Sequence, residues 1–146
     1  MSNNMNLQTS FFQALKFFYD TNKKIIKRSY KDLTKKYLDY NDKSCNPDAF
    51  LRKPQFEALE MYIFIKEFLN NQSVSEIFKD WMEKKGCFQN SKLNIGQNNQ
   101  IDIFEYSTKE YKEVYEMLTK YKEVYSNYIF ALTMGLGKTI LMATCI

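Results

Sequence analysis

Apolar residues recur at intervals of three and four along most of the chain, the spacing of helices that bury one face. Phe11, Phe12, Leu15, Phe18 and Tyr19 form one such set behind Thr9 and Ser10, either of which can cap a helix. Ile26, Tyr30, Leu33 and Tyr37 form a second, within a helix predicted over residues 22–40. Pro54 opens a third, which runs to about residue 70 and carries Phe56, Leu59, Tyr62, Ile63, Ile65, Phe68 and Leu69. Proline suits a first helical turn because its missing N–H would have no intrahelical partner there. This set is the densest, so the third helix is predicted to be the most buried. Ser73, with Glu76 three residues on, has the pattern of a capping box and predicts a short helix over residues 73–85. Residues 107–126 read as a helix in which YKEVY occurs at 111–115 and again at 121–125. A ten-residue offset turns a helix through roughly 1000°, so the two copies do not share a face. Two copies are also too few for a repeat architecture.

Two stretches break the helical rhythm. Residues 101–106 alternate enough to predict a short strand. Residues 128–133, YIFALT, are a continuous apolar run of the length and character of a buried parallel strand. Residues 1–8, 41–47 and 86–100 are polar and read as a frayed end and two loops. With four Gly and two Pro in 146 residues, the composition favours helices over a turn-rich β-fold.

Hydrophobic residues make up 45% of the chain and charged residues 26%, ordinary values for a globular domain of a length that can bury a real core. The net charge of +4 is concentrated in residues 22–40. There Lys23, Lys24, Lys27, Arg28, Lys31, Lys35 and Lys36 face only Asp32 and Asp39, a local net of +5. Lys23, Lys24, Lys27, Arg28 and Lys31 are candidate contacts to nucleic-acid phosphates. Tyr30, Tyr37 and Tyr40, interleaved with them, could stack on bases. The plainer alternative is a solvated helix face. The chain has no His, which excludes His-dependent triads and acid–base pairs. Cys45, Cys87 and Cys145 are far apart and odd in number, so they read as reduced thiols in a cytoplasmic protein. No apolar run approaches the ~20 residues that span a bilayer, and the N-terminus has no signal-like stretch. No membrane partner is expected.

The chemistry lies in residues 133–139, TMGLGKT. An apolar strand, a glycine loop, Lys-Thr and a helix in that order form the context of a phosphate-binding loop. Gly135 and Gly137 would let the backbone wrap an anion with successive N–H groups pointing inward. Lys138 would reach the β- and γ-phosphates and Thr139 would place its hydroxyl on Mg²⁺. Thr133, Met134 and Leu136 complete the candidate phosphate site. The first glycine of the full loop pattern would fall at position 132, where this chain has Leu.

That departure resembles motif I of superfamily 2 helicases and translocases, which often lack the first glycine. Upstream, RKPQFEALE at 52–60 resembles the R-x-x-Q-x-x-A-[LI] signature that precedes motif I in the same proteins. The likeness covers about residues 50–70 and 127–146 and is greatest to the restriction-type DEAD/DEAH-box group. That group is similar to type III restriction-enzyme helicase subunits and to the N-terminal helicase domain of the UvrB type. The resemblance implies adenine recognition by Gln55 with Arg52, ATP and Mg²⁺ as cofactors, and DNA and restriction or methylase subunits as partners. It implies a mostly α chain carrying the start of an α/β P-loop (RecA-like) domain, its sheet incomplete. Residues 1–49 would be an N-terminal helical region. Residues 50–146 would begin the first helicase domain, with a helical insertion over about 71–126. The family's acidic Asp-Glu motif lies downstream of motif I, and no Asp-Glu pair occurs in this sequence. The chain is therefore expected to be the ATP-binding N-terminal part of a longer helicase, without hydrolysis of its own. The alternative is a small helical nucleic-acid-binding or interaction protein without catalysis. Its core would be Phe11, Phe12, Leu15, Phe18, Leu59, Ile63 and Trp81.

Overall fold

The structure, a computed structural model, describes residues 7–89, 108–120, 122–123 and 137–144. Among the described residues six α-helices run in chain order: α1 (Leu7–Ser29), α2 (Asp32–Asn41), α3 (Lys53–Ile63), α4 (Val74–Met82), α5 (Thr108–Lys120) and α6 (Lys138–Thr144). α3 continues into a π-helical turn, Phe64–Phe68, and a 3₁₀ turn, Gly86–Gln89, follows α4. The chain divides into two compact units. Met1–Ile25 and Gln72–Ser126 form one, and Ile26–Asn71 and Asn127–Ile146 the other.

In the first unit the apolar face predicted for the opening helix is largely the one that is buried. Phe11, Leu15, Phe18 and Tyr19 are buried, whereas Phe12 is exposed. Phe11 meets Phe78 edge-on at 5.2 Å between centroids and lies 5.4 Å from Trp81. Phe78 stacks on Tyr111 at 5.6 Å, which ties α5 to α4. α4 begins as its sequence demands. The Glu76 N–H donates to the Ser73 hydroxyl at 3.4 Å, and the Ser73 N–H donates to the Glu76 carboxylate at 3.0 Å.

In the second unit α3 carries Leu59 and Ile63 into the core, and the π-turn adds Phe64. The segment ends with Asn70 and Asn71 at φ 52° and 56°, a left-handed conformation that Asn tolerates at helix ends. The helix predicted over 22–40 is broken at Tyr30 and Lys31, and Lys31 is extended at ψ 151°. The cause is distant in sequence: Glu67 in the π-turn accepts the Lys31 N–H and, at 2.6 Å, the Thr34 hydroxyl. A carboxylate at a helix start satisfies orphan N–H groups and opposes the positive end of the helix dipole. The break resets the buried face, so Leu38 is buried while Leu33 is 80% exposed. Tyr30 is buried at the break. Burial, with the Glu67 and Glu60 carboxylates, holds its phenol protonated well above the ordinary range.

The expected start of an α/β, RecA-like domain is corrected by this architecture. Among the described residues every regular element is helical, with no strand and no sheet. The predicted strands at 101–106 and 128–133 lie outside the described residues, as do residues 90–100 of the predicted loop. A short apolar run has no period that separates a strand from a buried helical face. A parallel strand also needs neighbours to pair with, and the described residues offer none. No helix among the described residues is long and apolar enough to cross a membrane.

Candidate nucleotide site

α6 begins with the Lys-Thr of the glycine motif, and three features hold it within its unit. It packs on α3, with Leu141 fully buried. At its end the Tyr37 hydroxyl donates to the Thr144 carbonyl. At its start stands Gly137, at φ +70°, where a side chain is strained. The Gly137 carbonyl accepts the Leu141 N–H at 3.3 Å, closing the first turn of the helix. It also accepts the side-chain amide of Gln55 at 2.9 Å, from 82 residues earlier in the chain.

Gln55 reaches it from the first turn of α3. Arg52 is the N-cap of that helix, and the Gln55 side-chain carbonyl accepts the Arg52 N–H at 2.7 Å. The approach to Gly137 is close enough that a Cβ on the glycine would lie 2.6 Å from Gln55 Nε2. Gln55 is buried, and the Arg52 side chain is exposed.

Of the candidate phosphate residues, Thr133, Met134, Gly135 and Leu136 lie outside the described residues. Gly137 is where the motif and the upstream signature meet, Lys138 is the first residue of α6, and Thr139 is exposed in its first turn. An exposed hydroxyl there suits the Mg²⁺ role the motif implies. No group of three or more Cys, Asp or Glu that could hold a metal occurs among the described residues.

The candidate nucleic-acid contacts are only partly free of acidic neighbours. Lys24, Arg28 and Lys31 are exposed, and Lys23 and Lys27 are half-buried. Lys27 lies 3.6 Å from Asp39, and Lys35 lies 3.3 Å from Asp32. The two acids of this stretch thus each meet one of its lysines. Burial pushes the Cys87 thiol up to about 11, so it stays protonated and is a poor nucleophile at neutral pH.

The sequence pattern singles out Gln55 and the Gly-Lys-Thr triplet, which the structure brings together, but does not announce Tyr37 as an anchor of α6. A lone tyrosine whose partner lies 107 residues away carries no local signal for such a contact. No family model, curated protein or solved structure matches the chain.

Proposed function

We propose that the chain is the ATP-binding N-terminal part of a restriction-type superfamily 2 DNA helicase or translocase. In this reading Gly137, Lys138 and Thr139, with Thr133, Met134, Gly135 and Leu136, handle the nucleotide phosphates and Mg²⁺. One contact carries the reading: Gln55 donates to the Gly137 carbonyl at 2.9 Å. The two stretches that the family likeness pairs are thereby joined, although they are far apart in sequence. Binding is the activity expected of this chain, because no Asp-Glu pair is present to hold the metal and orient a water.

The test is equilibrium dialysis of the 146-residue chain against labelled ATP with Mg²⁺. Saturable binding is expected. Lys138→Ala should weaken it by about tenfold to a hundredfold, the effect of losing a charge-assisted bond. Equal binding by the variant would remove Lys138 from the site and sink the reading.

A second reading, a small helical nucleic-acid-binding or interaction protein without catalysis, is favoured by a different observation. Every described element is a helix, and of its expected core Phe11, Leu15 and Phe18 are buried in one unit and Leu59 and Ile63 in the other, while Phe12 is exposed and Trp81 half-buried. It predicts no ATP binding by a chain whose circular dichroism shows it folded.

A further inference from the structure

The family likeness gives Gln55 the task of reading adenine. A glutamine reads adenine by using both ends of its amide, accepting from the exocyclic amine and donating to a ring nitrogen. In this structure both ends are already engaged within the protein. The carbonyl end takes the Arg52 N–H at 2.7 Å and the amine end gives to the Gly137 carbonyl at 2.9 Å. The orientation is set by the partners. A flipped amide would turn its NH₂ against the Arg52 N–H and its oxygen against the Gly137 oxygen, two repulsive contacts in place of two bonds. With only 3% of the residue exposed, Gln55 has no open edge to offer a base.

We infer that Gln55 is a positioning residue that fixes the Gly137 carbonyl at the entry to α6, and that it does not read the base. Two features of Gly137 fit this task. Its φ of +70° aims the carbonyl where the Leu141 N–H and the Gln55 amide both reach it, and its missing Cβ leaves the space that Gln55 Nε2 occupies. The amide clamps the start of α6 to the start of α3. Loss of the clamp should loosen the turn that carries Lys138 and Thr139, and so weaken any nucleotide without regard to its base.

The binding arm of this inference rests on the proposed function, and the exchange arm does not. Gln55→Glu is the informative change, because it keeps an oxygen for the Arg52 N–H and loses the donor to Gly137 at neutral pH. The Leu141 amide of the full chain would be followed by NMR hydrogen exchange, and ATP and GTP affinities would be measured on the same samples. The expected result is faster Leu141 exchange in the variant, with ATP and GTP both weakened by the same factor, about tenfold. Unchanged exchange would overturn the clamp, and so would a loss confined to ATP, which would make Gln55 a base reader. If the wild-type chain binds neither nucleotide, the functional reading fails and the exchange result alone decides the clamp. Should Gln55→Glu fail to fold, Gln55→Met removes the amide donor while filling similar space, and the same exchange readout applies.

Discussion

At Gly137 a single missing Cβ serves both the backbone and the packing. A side chain in the left-handed region costs about 1–2 kcal/mol, and at this position it would also press on Gln55 Nε2 at 2.6 Å. Gly137→Ala is expected to destabilise the unit that holds α6 by about 2 kcal/mol, read as a fall in the urea midpoint with an unchanged slope. Removing the obstructing amide should relieve the steric part of that cost. The double variant Gln55→Ala/Gly137→Ala is therefore expected to lose less than the two single losses together. Strict additivity would show that the two residues do not interact. The glycine and the glutamine were each legible in the sequence, one from the Gly-Lys-Thr pattern and the other from the signature after Pro54. Their mutual use was not, because it depends on Gln55 sitting in the first turn of one helix within reach of the turn that begins another. The role first drawn for Gln55 came from likeness alone, and likeness does not show which hydrogen bonds a side chain has already made.

Among the elements, α4 was the most legible, because what starts it is local. Ser73 and Glu76 are three residues apart and satisfy each other's N–H groups. The Ser73 hydroxyl, then its backbone N–H, and more weakly Lys122 at 3.4 Å hold the Glu76 carboxyl below the usual range. A carboxyl depressed in the folded state contributes stability that is fully present above its unfolded value, about 4.3, and is lost as pH falls through the folded value. Urea unfolding at pH 7 and pH 3 should therefore show a larger loss for the wild-type chain than for Glu76→Gln. Ser73→Ala should cost about 1 kcal/mol at pH 7 and shrink the difference between the two pH values. Coincident pH profiles for all three proteins would remove the capping box from the energetics of α4. The division between α1 and α2 is the opposite case. It is imposed by Glu67, 36 residues from the Lys31 N–H and 33 from the Thr34 hydroxyl, and no local pattern announces it. A continuous helix over 22–40 fitted the apolar spacing equally well until that carboxylate claimed the chain at Lys31.

For the fold class of the molecule, helical periodicity was the sound guide and the expectation of a sheet was the misleading one. The segments read by their three- and four-residue spacing are helical where they are described, whereas the sheet was expected from one short alternating stretch, one apolar run and the phosphate loop that usually follows a strand. The same spacing identified Phe11, Phe18 and Tyr19 of the aromatic core of the first unit but not Phe78, and the loss of Phe78 is expected to have a large effect on stability. Phe78 is fully buried, meets Phe11 edge-on, stacks on Tyr111 and lies 6.2 Å from Trp81. To fill the space left by Phe78→Ala the surrounding rings would have to collapse, and rigid rings collapse poorly. The expected cost is about 3–5 kcal/mol, made up of lost apolar transfer and a residual cavity. Against the roughly 5–15 kcal/mol that holds an ordinary domain together, this is enough to lower the calorimetric midpoint by about 10 °C. Phe12→Ala provides the internal comparison: the residue is adjacent to Phe11 but 43% exposed, so its loss should cost well under half as much. Similar losses from the two variants would mean that the rings around Phe78 do not form the core of that unit. A large gap would fix Phe11, Phe78 and Tyr111 as the contacts that join α1, α4 and α5.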